Sequence, residues 1–128
     1  MKKWTTRNAN EYTVMLSAQY SVVCYAETMW EAEDLAFALV EEPLKANDIE
    51  PDTFIVEERS SGFKDDEFEF KLKVNMIIPV IAPDYTEAWN DAVEFVEGIK
   101  FDDGVELIRT DEVDMVMGNN KAWLRKNA

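Results

Sequence analysis

From Tyr12 onward the chain alternates, with Tyr12, Val14, Leu16, Ala18, Tyr20, Val22, Cys24 and Ala26 on the even positions and Thr13, Met15, Ser17, Gln19 and Ser21 on the odd ones. A period of two with one apolar side predicts a half-buried strand. The pattern returns 56 positions later and is cleaner there: Phe68, Phe70, Leu72, Val74, Met76, Ile78 and Val80 alternate with Glu67, Glu69, Lys71, Lys73 and Asn75. Late in each run the outer side also turns apolar, through Val23 and Tyr25 in one copy and Ile77, Pro79 and Ile81 in the other. Cover on both faces is expected for those segments. Each run would span close to ~50 Å, beyond the usual strand. A bulge, a hairpin or pairing with a second subunit could accommodate that length; without an Asn-Gly or similar turn pair, the hairpin ranks last. Pro79 cannot donate to a ladder, so a bulge or an edge is expected there.

Each strand leads into a helix with the same opening device at aligned positions. Thr28 with Glu31, and Asp84 with Glu87, read as an N-cap with an acid three residues on. Apolar residues then fall at helical spacing, Ala32, Leu35, Ala36 and Leu39 in the first helix and Ala88, Ala92, Phe95 and Ile99 in the second. The first should stop near Pro43 and the second at Gly98. Returning strands are expected over Thr53 to Glu58 and Val105 to Thr110, with Asp102, Asp103 and Gly104 as a turn. A short alternation, Val113, Met115 and Met117, and a helical turn from Asn120 carrying Trp123 and Leu124 complete the reading.

Strand, helix, strand, twice over, is the βαββαβ order of a ferredoxin-like α+β sandwich: a four-stranded antiparallel sheet with two helices on one face. Two smaller βα units whose long strands pair across a dimer are the competing architecture. The chain reads as a single domain over 1–128, with a basic N-terminal arm at 1–10, a first repeat at 11–60, a second at 66–112 and a C-terminal extension at 113–128.

Composition supports a folded domain, since 47% of its 128 residues are hydrophobic. Lys2 and Lys3 lead into polar residues, so no secretory leader is expected, and the apolar run Met76 to Ala82 is too short for a spanning helix. A cytoplasmic protein without membrane contact is the expectation. The lone Cys24 rules out a disulfide within the chain.

Charge changes the picture more. The net charge is −14, and all 27 acids lie between Glu11 and Asp114 against seven bases. Lys2, Lys3 and Arg7 with Trp4 at one terminus, and Lys121, Arg125 and Lys126 with Trp123 at the other, form two basic arms expected to fold back on an acidic body. Such a field repels nucleic acid and anionic lipid and attracts basic proteins or cations. Direct nucleic-acid binding is not expected, and the strands lack the aromatic signature of RNA-recognition motifs.

Reactive chemistry is sparse. Histidine is absent, as are a phosphate-binding glycine loop, a nucleophile elbow and a zinc-type cysteine pair. Cys24 has the parity of a packed small hydrophobe. The loop carboxylates Asp48, Glu50 and Asp52 beside Asn47, and Asp102, Asp103 and Glu106, could hold calcium or magnesium but lack the EF-hand spacing and suit ordinary turns. Neither an enzyme nor a metal or other cofactor is expected.

The helix faces carry the sharper expectation. Glu27, Glu31, Asp34 and Glu41 fall near one stripe of the first helix, and Glu87, Asp91 and Glu94 near one stripe of the second. Together they are the candidate surface for a basic protein partner. In the sharper form of this reading, the carboxylates stand in for the phosphates of a nucleic acid and inhibit the protein that binds it. Val23, Tyr25, Ile77, Pro79 and Ile81 are the candidate oligomer interface of a homodimer; a structural homo-oligomer built on them is the alternative function.

A long alternating strand ending in Ala, then a capping residue and Glu-Ala at the start of a helix, as in Tyr12 to Ala36 and Phe68 to Ala92, resembles small uncharacterised proteins of bacteriophages. The resemblance implies a small cytoplasmic protein that acts by binding a host component, and it carries no catalytic residues.

Overall fold

The computed structural model describes residues 10–62 and 64–117. Its elements run β1 (Asn10–Tyr25), α1 (Met29–Ala46), β2 (Pro51–Ser61), β3 (Glu67–Ala82), α2 (Tyr85–Glu97) and β4 (Val105–Met117). One antiparallel sheet has the order β2-β3-β1-β4, so this is the ferredoxin-like sandwich. The basic arms and the turn from Asn120 lie outside the described residues.

The even positions of β1 and β3 form the floor of the core. Val14, Leu16, Ala18, Tyr20 and Val22 on β1, and Phe70, Leu72 and Val74 on β3, are buried. Ala32, Ala36, Val40 and Leu44 of α1 and Ala88, Ala92 and Val96 of α2 close it from above. Alanines at these contacts bring the helix axes close to the sheet, because a larger side chain there would need its own volume. Thr28 and Asp84 cap the helices as expected, accepting from Glu31 N (3.2 Å) and Glu87 N (2.9 Å).

The bounds of three elements differ from expectation. α1 passes through Pro43 and ends at Ala46. Leu44, fully buried beyond the proline, holds the last turn to the core, and that contact outweighs one missing helical hydrogen bond. The end is a Schellman motif: Ile49 N–H donates to Leu44 O (2.9 Å) and Asp48 N–H to Lys45 O (3.0 Å). Asp48 takes the left-handed conformation this requires, with φ 61°. Likewise, β2 and β4 are longer than expected, and the break at 113 falls inside β4.

Bulges accommodate the long strands. Ile108 and Val113 are the extra residues where β4 shifts register against β1, and Asp52 and Glu57 play the same part in β2 against β3. Pairing of β1 with β3, by contrast, is unbroken from Asn10↔Ala82 to Tyr25↔Glu67. Pro79 sits beyond Met76, the last β3 residue paired to β2, so its missing N–H faces no neighbouring strand. The edge alternative is the one realised there, without a bulge.

Tyr20 is the one large polar side chain at the centre of the floor, its ring 5.1 Å from that of Phe101. Among the described residues its hydroxyl has no hydrogen-bond partner. Burial raises its pKa above the ordinary 10.0, so the folded protein resists an ionisation that the unfolded chain permits. The stability linked to this group is therefore fully present below about pH 10 and is lost as pH rises further, at about 1.4 kcal/mol per pH unit. Tyr20→Phe is expected to leave stability at neutral pH unchanged or raise it by about 1 kcal/mol, and to flatten the alkaline limb. Urea unfolding at pH 7 and pH 11 reads both; a loss above about 1 kcal/mol at pH 7 would mean that the hydroxyl is satisfied in the native state.

Candidate interaction surfaces

The helical side of the sandwich carries most of the expected acidic residues in the open. Glu27, Glu31, Asp34 and Glu94 are exposed, and Glu41 and Glu87 are partly so. Glu41 lies 3.5 Å from Lys45 one turn on, an exposed pair of little energetic weight. Glu33 is committed elsewhere: its Oε1 accepts from both Nε (2.7 Å) and Nη2 (2.6 Å) of Arg59 of β2, which ties α1 to the sheet edge.

Asp91 does not belong to this surface. It is 1% exposed and shares the inward side of α2 with Ala88, Ala92 and Val96. Residue 91 follows Ala88 by three and precedes Ala92 by one, so the turn that buries the alanines carries Asp91 under with them. The two stripes also run in opposite directions. β1 and β3 are antiparallel and each helix doubles back along its own strand, so Glu31 and Glu87, aligned in the repeat, sit towards opposite ends of the helical side.

A residue absent from the sequence reading stands in the acidic stripe. Trp30 is 75% exposed, and Asp34, Phe37 and Glu41 follow it at helical spacing along α1. Its position off the Ala32–Ala36 line was the available signal, since an apolar residue outside the apolar stripe is a surface residue. Phe37 below it packs edge-on against Phe54 of β2, with ring centroids 5.4 Å apart.

The opposite face of the sheet has no helix among the described residues. Register places Ile55, Lys73, Gln19 and Arg109 in one row across it, and Thr53, Asn75, Ser17 and Asp111 in the next. Gln19 Nε2 donates to Glu57 Oε1 (2.9 Å), Asn75 Nδ2 to Thr53 Oγ1 (2.9 Å), and Arg109 pairs with Asp111 at 3.1 Å. A cleft of about 340 Å³ opens among these polar side chains.

The five expected interface residues do not form one patch. Val23 and Tyr25 pair with Glu69 and Glu67, whereas Pro79 and Ile81 pair with Thr13 and Glu11 near the other end of β1. Tyr25 follows Thr13 by twelve positions along β1, which amounts to about 40 Å. Antiparallel pairing separates what the tandem repeat aligns. Nor are these segments covered on both faces, because Tyr25 is 50% and Ile81 55% exposed. What remains at one end is a smaller apolar group of Met15, Ile77, Pro79, Ile81 and Val116.

At the end of the sheet where β1 leads into α1, a second cleft of about 670 Å³ lies beside α1 and the loop preceding β4. Cys24 lines it but is 3% exposed, and its thiol donates to Ala32 O at 3.3 Å. Burial pushes the thiol pKa up. The loop carboxylates do not gather into a metal-binding group of three among the described residues. In the first loop their backbone role is clear, since Asn47 and Asp48 form the helix end.

A scan against protein-family models matches none of them, and searches of curated proteins and of solved structures return no match. The fold defines the class, a ferredoxin-like α+β sandwich, and functional inference rests on the surfaces themselves. No helix among the described residues is long and apolar enough to cross a membrane.

The environment of Cys24 makes a direct expectation. With a buried, hydrogen-bonded thiol of raised pKa, labelling by a disulfide reagent at pH 8 should run at least about 100-fold slower in the native protein than in urea. Comparable rates in both would mean that the end of β1 opens readily.

Proposed function

We propose that this protein is a non-enzymatic acidic interaction module that binds a basic protein through its helical side. The observation that carries the reading is Trp30, a large apolar side chain 75% exposed within a row of carboxylates. Solubility alone accounts for exposed Glu and Asp, but not for an indole among them. Trp is enriched at binding hot spots, and its face attracts Lys and Arg through cation–π contact. The surrounding acids would steer a basic partner and set the salt dependence of its binding.

A sharper form makes the partner a nucleic-acid-binding protein inhibited by charge mimicry. Carboxylates about 5–6 Å apart along a helix approach the phosphate spacing of about 3.4 Å per strand. The recognising groups are then Glu27, Glu31, Asp34, Glu41, Glu87 and Glu94, with Asp91 left out because it is buried.

The combined variant Glu31→Gln, Asp34→Asn, Glu87→Gln, Glu94→Gln tests the reading. Immobilised wild-type protein should retain basic proteins from a lysate at physiological ionic strength, and the variant, folded by circular dichroism, should retain at least about tenfold less, as expected when several steering charges are lost together. Equal retention of the same proteins by both would contradict it.

One observation favours a second reading, a homodimer closed through the open sheet face: the apolar group of exposed Pro79 and Ile81 with partly exposed Met15, Ile77 and Val116. Light scattering separates the two. A dimer that becomes a monomer on Ile77→Lys with Ile81→Lys would support this reading, and a monomer at every wild-type concentration would remove it.

A further inference from the structure

We infer that the cleft between α1 and the loop before β4 is the anchoring pocket for the basic partner, taking one aromatic or branched aliphatic side chain flanked by Lys or Arg. This inference rests on the interaction-module reading above and specifies what its partner must present.

The argument begins with an apolar wall left open to solvent. Leu35 and Leu39 stand one turn apart on the flank of α1, beside rather than on the line of Ala32, Ala36 and Val40 that faces the sheet. Leu35 is 40% exposed even though the helix has a complete core face beneath it. The cleft of about 670 Å³ that they line continues to Val23 at the end of β1. A volume of that size is ample for a Leu, Phe or Trp side chain and its neighbours.

The rim supplies the charge. Asp102, Asp103 and Glu106 border the cleft on the β4 side. On α1, Glu31 precedes Leu35 by four residues and Glu42 follows Leu39 by three, which places an exposed or partly exposed carboxylate at each end of the leucine wall. An apolar wall with carboxylates along its β4 side and at its two ends complements an apolar side chain with cations beside it. It disfavours an acidic segment, whose approach the same charges oppose.

The rim is also fixed before anything binds. Val23 N–H donates to Gly104 O (2.8 Å) and Val105 N–H to Asp102 O (2.9 Å), closing the loop onto β1. Gly104 is required for this approach, since a Cβ there would collide with the carbonyl oxygen of Val23. Carboxylates held on a tight turn lose little freedom when a cation meets them.

Three pentapeptides test the assignment: Trp between two pairs of Lys, Ala between two pairs of Lys, and Trp between two pairs of Glu. Amide shifts of the ¹⁵N-labelled protein locate binding, and titration gives the affinity. The Lys-flanked Trp peptide should shift Val23, Leu39 and Gly104 and bind at least about tenfold more tightly than either of the others. Leu35→Asn should weaken it about fivefold or more, as should Asp102→Asn with Asp103→Asn, which should also flatten its salt dependence. Asp114→Asn, opposite Met15 near the other end of β1, should leave it unchanged. Equal affinity of the two Lys-flanked peptides, with shifts confined to the outward carboxylates of α1 and α2, would overturn the pocket and leave the interaction module standing. Equal binding of the Glu-flanked Trp peptide would overturn the charge complementarity that defines the pocket. No binding of either Lys-flanked peptide at low salt, by the wild type or by a Trp4→Ala, Trp123→Ala variant whose own basic arms no longer carry an indole, would overturn both readings.

Discussion

Everything in this fold depends on the antiparallel pairing of β1 with β3, sixteen residues each, in one uninterrupted register. Side chains alternate along both strands, so the register commits the even positions of both to the helices and the odd positions to the open face. A slip by one residue would move Leu16, Tyr20 and Val22 of β1 to the open face and bring Met15, Gln19 and Ser21 beneath the helices. The same pairing sets the helix directions and therefore how charge is distributed over the molecule. It also explains why residues aligned by the repeat are distant in space.

A chain of net charge −14 must place most of its carboxylates where water can reach them, and the fold leaves the outer sides of two helices, the open sheet face, two sheet edges and the loops, with Asp91 the buried exception. On the edges the acids coincide with bulges: Asp52 and Glu57 are extra residues in β2, and Val113 in β4 lies between Glu112 and Asp114. Bulged, acidic edges resist pairing with another sheet. The proposed readings therefore use faces rather than edges, the helical side for a partner of opposite charge and the apolar end of the open sheet for another copy. Trp30, 75% exposed, stands on the first of these, which is why the proposed function places the partner there.

Much of this was legible in the sequence because period two and period 3.6 are local signals. Tyr12 to Ala26 and Phe68 to Ala82 declared their buried faces residue by residue, and Thr28 and Asp84 declared the helix starts. What the sequence did not disclose was non-local. Pro43 inside α1 depends on the burial of Leu44, the length of β4 on bulges that need β1 as a template, and the burial of Asp91 on which turn of α2 meets the core. The candidate surfaces divide in the same way. The acidic stripes could be read from helical spacing, while the separation of Tyr25 from Ile81 required the register, and the cleft beside Leu35 required the loop from Asp102 to Glu106 to be placed.

The central claim is that the helical side is the surface that meets another protein. The most direct measurement is carboxylate footprinting of the protein alone and bound to whatever basic partner it captures, with each Asp and Glu resolved by mass spectrometry. The account predicts lowered labelling at Glu27, Glu31, Asp34 and Glu94 and unchanged labelling at Glu58 and Glu69 of the open face. Protection confined to Glu58, Glu69 and Asp111, with the helical carboxylates labelled as in the unbound protein, would contradict it.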